Sequence, residues 1–318
     1  MLEIVLMGKS GSGKSSIKGV VFEKLSPYES VFNESTRDIS NTRFSTLGFE
    51  KISITEIPGN ITNDFDEEIL KNFNKCKMLI YVVDCQDNTD ESFVYFKDKV
   101  FPYLLKNPKC SLSVFIHKTD SANNFQGNFS APKGQIMEKF NEIIKKESNE
   151  INPYFYTTSI YDYSLFDAFS KILQKMIKQN SLLCSLLDSL TCECRFVKAY
   201  LFDVFTKIYI ATDEAPLHGQ IFEICSDMID VVTDMSGIYG NDNENDNEYY
   251  FDDNSMGLIK INKVEGGENS KDILSLRFIY SNFVLIFYAN ESSFENLHFM
   301  DRNIDLFRQA VKKILNKN

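Results

Sequence analysis

The sequence predicts a two-part chain: an α/β domain over about residues 1–182, built on a doubly wound parallel sheet, and a smaller α+β domain over 183–318. Three observations carry this. Short continuous apolar runs, the pattern of strands buried on both faces, recur through the first half with helix-period segments between them. In the second half the strand patterns are grouped instead of alternating with helices. Finally, 318 residues are enough for two hydrophobic cores at roughly 100 to 200 residues per domain.

The elements follow in order. Leu2 to Met7 is the first apolar run, and a glycine-rich turn follows it at once. Met78 to Val83 and Leu112 to Ile116 repeat the pattern, Ile52 to Ile57 alternates like a half-buried strand, and Tyr154 to Thr157 is a shorter one. The clearest helix is marked by Leu165, Phe166, Phe169, Ile172, Leu173, Met176 and Ile177, whose spacing places them on one face. Strands alternating with helices argue for helices layered on a parallel sheet. Beyond it the patterns predict strands at Phe196 to Val204 and Lys207 to Ala211, a helix from about Pro216 to Met235, three more strands and a long final helix. Leu274 to Ile279 and Asn282 to Ala289 are separated only by Tyr280 and Ser281, which predicts a hairpin. Ser292-Ser293-Phe294-Glu295 reads as a capping box for the last helix, with Phe294, Leu297, Ile304, Phe307, Val311 and Ile314 along one face. Asn241 to Glu248 is acidic and low in complexity, a surface loop or an acidic docking segment.

Charge narrows the function classes. The net charge is −11, and it is divided unevenly: residues 1–186 are net −1, residues 187–318 net −10. The first part can approach a phosphorylated ligand, whereas the second repels nucleic acid and anionic bilayers, so nucleic acid is not expected as a partner. Seven cysteines, odd in number and without framework spacing, fit a reducing, cytoplasmic compartment. Cys192 and Cys194 have no second ligand pair nearby and read as thiols, not a zinc site. The longest apolar stretch, Phe283 to Ala289, is too short to span a bilayer, and Met1-Leu2-Glu3 leads into a strand instead of a signal peptide. No direct membrane insertion is expected.

The chemistry sits in Gly8-Lys9-Ser10-Gly11-Ser12-Gly13-Lys14-Ser15, which matches G-x-x-x-x-G-K-[ST] between a buried strand and a helix. Gly11 and Gly13 let the backbone wrap close to phosphate, the helix N-terminus adds a favourable dipole, and Lys14 meets the β and γ oxygens. Ser15 is the expected Mg²⁺ ligand. Phosphates alone do not distinguish ATP from GTP. His117-Lys118-Thr119-Asp120 follows the strand ending at Ile116, and its Asp120 can accept from the N1–H and exocyclic amine of guanine. Lys118 would lay its apolar stem along the ring, while His117 stands where such loops usually carry Asn. Thr157 to Ile160 follows another strand at a position suited to closing over the base. Thr36 lies in a plausible first switch loop as a second Mg²⁺ ligand. In Glu56-Ile57-Pro58-Gly59-Asn60, Gly59 offers an N–H to a γ-phosphate oxygen. Glu56 takes the place of a shorter Asp, and Asn60 falls short of the reach of a water-orienting Gln. Those two substitutions predict GTP or GDP binding with slow hydrolysis.

These residues resemble a known family. Met7 to Ser16, Lys24 to Glu29, Phe32 to Thr36, Ile80 to Asp84, Phe115 to Asp120 and Thr158 to Asp162 are similar to the Rag GTPases of the C/D type. So are Ala199 to Val204, Lys207 to Asp213 and Cys225 to Val232. The resemblance implies a Ras-like P-loop G domain followed by a roadblock-type dimerisation domain. It implies that Ser12, Gly13, Lys14, Ser15 and Ser16 hold phosphates, that Ser30 and Thr36 belong to the first switch, that His117 and Asp120 read guanine, and that Ser159 and Ile160 finish the base pocket. It further implies pairing with an A/B-type Rag and attachment to the lysosome or vacuole through a scaffold complex, with amino-acid signalling to the target of rapamycin kinase complex. His117 agrees with the C/D type; Glu56 and Asn60 depart from it. Without Gly at position 2 or a prenylatable terminal Cys, membrane contact is expected through protein partners, for which the last helix or the hairpin edge is available unless each is core.

The leading expectation is a switch in which nucleotide orders residues about 26 to 48 and 56 to 70. A nucleotide-stabilised scaffold that never toggles is the alternative, and a P-loop ATPase or small-molecule kinase is disfavoured by Asp120.

Overall fold

The computed structural model describes residues 2–30, 36–47, 50–60, 73–87, 89–120, 130–147, 151–215, 219–239, 255–265 and 268–315. The acidic segment Asn241 to Glu248, most of Phe32 to Thr36 and residues 61–70 of the second switch segment lie outside them. The chain divides into two compact units, residues 1–45 with 50–172, and 46–49 with 173–318.

The first unit carries a six-stranded sheet of β1 (Leu2–Met7), β2 (Ser40–Leu47), β3 (Glu50–Glu56), β4 (Met78–Asp84), β5 (Ser111–His117) and β6 (Tyr154–Thr158), in the order β2-β3-β1-β4-β5-β6. The pairs β1–β3, β1–β4, β4–β5 and β5–β6 are parallel. Helices α1 (Lys14–Phe22), α2 (Pro27–Ser30), α3 (Thr89–Tyr95), α4 (Phe101–Lys106), α5 (Ser130–Glu147) and α6 (Ser164–Met176) connect the strands. A π turn over Phe96–Val100 joins α3 to α4. Aromatic side chains fill both sides of the sheet. Phe140 of α5 packs on Tyr81, Phe93 and Phe96 with ring centroids 4.9–5.8 Å apart. On the other face Phe169 of α6 meets Phe115 at 5.5 Å and Phe22 at 5.2 Å. Burial of Tyr81 is tolerated because its hydroxyl donates to Ser92 O at 2.7 Å.

The second unit is an antiparallel sheet of β7 (Lys198–Asp203), β8 (Tyr209–Thr212), β9 (Met256–Glu265), β10 (Glu268–Tyr280) and β11 (Phe283–Asn290), in the order β8-β7-β11-β10-β9. Helix α7 (Asn180–Cys194) and helix α9 (Leu297–Leu315) pack together on one face, and Asp301 of α9 lies 3.6 Å from Arg277 of β10. Helix α8 (Gly219–Tyr239) covers the other face, where Phe222 meets Phe202 and Tyr209.

Several expectations change. Ser40–Leu47, within the segment expected to form the first switch, is the edge strand β2, and α7 runs through the expected boundary at 182/183. Ser292 is not the helix cap: Glu291–Phe294 winds into a 3-10 turn, and α9 starts at Leu297, with Asn296 Oδ1 accepting from Phe299 N–H at 3.3 Å. Of the two surfaces offered for a partner, the hairpin is core and the helix face is core at Ile304, Phe307 and Val311, while Leu297 is exposed and Phe294 and Ile314 are half-buried. The buried stripe of α9 is Met300, Ile304, Phe307, Val311 and Leu315, and the β10–β11 hairpin lies inside the sheet, leaving β8 and β9 as its edges.

Candidate functional site

Strand order reverses at β1, with β3 on one side of it and β4 on the other, and ligands of open α/β sheets bind outside the carboxyl ends of strands at such a point. The loops leaving β1, β3, β4, β5 and β6 all emerge at that end. They enclose a cleft of about 440 Å³, within the size range of small-ligand pockets. Gly11, Gly13, Lys14, Ser15, Ser16, Ser30, Thr36 and Gly59 line it at one end, and His117, Lys118, Asp120 and Ile160 at the other. Ser12, Ser159 and Asn60 do not line it; Asn60 is exposed. Ser12 Oγ is buried under Gly8 with no hydrogen-bond partner among the described residues.

The phosphate end is preorganised by close backbone approach. Gly13 has φ +96°, and a Cβ there would stand 2.6 Å from the His117 ring, so only glycine lets the P-loop turn into α1 against the imidazole. A Cβ on Gly59 would lie 2.0 Å from Ser10 N, which shows how closely the loop after β3 rides over the P-loop. Lys14 Nζ donates to Gly8 O at 2.8 Å and Lys9 O at 3.0 Å. Burial pushes its ammonium down to about 8, opposed by the charge of Glu56.

Three oxygens meet beside it. Ser15 Oγ lies 2.8 Å from Thr36 Oγ1, and Glu56 Oε1 accepts from Ser15 at 2.5 Å and from Thr36 at 2.9 Å. These two hydroxyls and one carboxylate are hard oxygen donors of the kind that serve Mg²⁺. The donor chemistry fits that ion.

At the base end, β5 and β6 run in register and bring two loops together. His117 is buried, with Nδ1 3.0 Å from Thr158 Oγ1, and burial together with the Lys118 charge pushes its pKa down to about 4, leaving a neutral ring. Lys118 adopts φ +63°, and its ammonium donates to Gly11 O at 2.9 Å and to Asp84 Oδ2 at 2.5 Å, tying the base loop to the P-loop. Asp120 Oδ1 accepts from Ser159 Oγ at 3.2 Å. Of this pair Ile160 lines the cleft, while Ser159 N–H donates to Ser164 Oγ at 2.9 Å. Ser16 Oγ donates to Ser30 O at 3.2 Å, joining α1 to α2.

Reasoning from sequence missed Ser10, Gln86 and Tyr161 as lining residues and Asp84 as the partner of Lys118. Gln86 donates to Lys118 O at 2.9 Å, so it fixes the same loop from its backbone side. Asp84 ends the buried strand β4 and closes the Ile80 to Asp84 segment of the resemblance, and Gln86 follows it by two residues.

The chain matches the profile of the Gtr1/RagA G protein conserved region over residues 3–229. It is 38% identical to mouse Ras-related GTP-binding protein C over 315 residues, covering 98% of this chain and 76% of the relative. It is 32% identical to fission yeast GTP-binding protein gtr2, covering 98% of this chain and 97% of the relative. Rat Ras-related GTP-binding protein B is 25% identical over 207 residues, covering 55% of this chain and 54% of the relative.

Proposed function

The chain belongs to the Gtr1/RagA family of G proteins, in its C/D type, and on that footing we propose that it is a guanine-nucleotide-binding switch with slow GTP hydrolysis. One observation carries the reading. A single cleft is lined at once by Lys14 and Ser15 and, at its other end, by Lys118, Asp120 and Ile160, so a phosphate reader and a purine reader face one ligand. In this reading the backbone of Gly11 to Ser16 and the Lys14 ammonium hold phosphates, Ser15 and Thr36 hold Mg²⁺, and Asp120 accepts from guanine with Lys118 against the ring. When bound, Mg²⁺ neutralises charge on the phosphate oxygens. Ser30 supports the first switch, Ser159 orients Asp120, Ile160 closes the base pocket, and His117 locks base loop to P-loop. Slow hydrolysis is supported by Asn60, which is exposed and does not line the cleft.

The second unit is proposed as the roadblock-type dimerisation domain, pairing with an A/B-type Rag. Relatives of both types support that pairing. The pair would sit on the lysosome or vacuole through a scaffold complex and report amino-acid state to the target of rapamycin kinase complex. Among the described residues no helix is long and apolar enough to cross a membrane. Thr36, held between Ser15 and Glu56, favours a second reading, in which bound nucleotide stabilises a scaffold that does not toggle. Equal partner affinity with GTP and GDP would select it.

Thermal shifts test the site. A ligand at 100 times its Kd stabilises by about 2.7 kcal/mol. GTP and GDP are expected to protect the native chain and ATP not to, with protection by GTP lost in Asp120→Ala. Protection by ATP equal to that by GTP would overturn the base assignment.

A further inference from the structure

Ser15 Oγ, Thr36 Oγ1 and Glu56 Oε1 form a triangle with edges of 2.5, 2.8 and 2.9 Å. In this structure the three oxygens hydrogen-bond one another, so it is their convergence on one point as hard oxygen donors, and not the edge lengths, that suits a magnesium ion. A carboxylate one methylene shorter, hung from the same backbone at the end of β3, would stop roughly 1.5 Å back and need a water to bridge the gap.

The rest of the glutamate is consistent with this placement. Glu56 is 1% exposed, so bulk water does not compete for Oε1. Its other oxygen, Oε2, lies 3.6 Å from Lys18 Nζ, and Lys18 is itself held by Ser40 Oγ at 2.8 Å and Glu23 at 3.5 Å. One oxygen is turned to a fixed cation of the protein, the other to the two hydroxyls. We propose that Glu56 is a direct ligand of the nucleotide-associated magnesium, beside Ser15 and Thr36 and in place of a water molecule. The inference rests on the guanine-nucleotide reading and concerns only what the longer side chain does within it.

The number of waters on the metal decides the question. The full chain is loaded with Mn²⁺ and a non-hydrolysable GTP analogue in ¹⁷O-enriched water, and metal-bound waters are counted from the broadening of the Mn²⁺ resonance for the native protein and Glu56→Asp. Nucleotide stoichiometry on the same samples shows that both are folded and loaded. Glu56→Asp is expected to carry one more bound water than the native protein. Equal counts would overturn direct ligation and leave Glu56 as a hydrogen-bonding neighbour. If neither protein retains a Mn²⁺–nucleotide complex, the guanine-nucleotide reading fails, and this inference with it.

Discussion

At the residue scale, His117 shows how one buried side chain serves two loops. Its ring touches Gly13 on the P-loop side and bonds Thr158 on the base side, and burial holds its pKa near 4 against 6.5 for a free imidazole. The neutral form is the one the fold accepts. This group's contribution is therefore fully present above pH 6.5 and is lost as pH falls through about 4, because the unfolded chain binds the proton first. The window spans a stability change on the order of 3 kcal/mol. His117→Asn, which removes the titrating group and keeps a polar side chain near Thr158, is expected to flatten the unfolding free energy between pH 4 and 6.5, measured by urea titration at a series of pH values. An unchanged slope would show that other groups carry the acid sensitivity. The P-loop and the His117–Asp120 tetrapeptide were legible in sequence because their chemistry is local. Glu56 was legible only as a departure: its bond to Thr36, twenty positions away in the chain, depends on the fold bringing the two together.

At the element scale, strands buried on both faces announced themselves through continuous apolar runs, and β1, β4 and β5 lie where those runs lie. β2 did not, because Ser-Asn-Thr-Arg-Phe-Ser-Thr-Leu sits at a sheet edge and has little apolar surface to reveal it. Local structure also moved the start of α9: Ser292 lies in a 3-10 turn whose Ser293 Oγ donates to Arg195 O, and it is Asn296 Oδ1 that accepts from a first-turn N–H. Patterning cannot foresee the ion pair that fixes the end of β8 either. Lys198 of β7 lies 2.8 Å from Asp213 Oδ1 and donates to Asp213 O at 2.9 Å and Ala215 O at 2.5 Å, with both residues buried. Removing one partner strands the other charge away from water, at a cost of about 3–5 kcal/mol. Lys198→Met is expected to lose that much in denaturant unfolding, and Asp213→Asn on top of it to recover part of the loss. A single-variant cost below about 1 kcal/mol would mean that water reaches Asp213 and that the pair does not organise β7 against β8.

At the scale of the whole molecule, acidity and apolar exposure are both concentrated in the second half. Residues 187–318 carry net −10, which disfavours contact with anionic lipid or nucleic acid. Among the described residues of the second unit, exposed apolar side chains lie on α8 and β9 as well as at Leu297, Phe299 and Leu306 of α9. On α8, Val231, Met235 and Ile238 are 57%, 54% and 73% exposed, and their i, i+4, i+7 spacing puts them on one face. On the outer strand β9, Met256 and Leu258 are exposed as well. The inward side of α8, with Phe222, Cys225, Met228 and Ile229, is already committed to the core, so the outer stripe can change without removing core packing. If the second unit pairs with an A/B-type Rag, Val231→Asp with Met235→Asp should abolish co-purification of the two chains from co-expressing cells by placing two carboxylates in an apolar interface. The thermal shift with GTP should persist, because these residues contribute nothing to the cleft. Co-purification at native yield would exclude this face of α8 from the pairing, and loss of the thermal shift as well would show that the substitutions had damaged the fold.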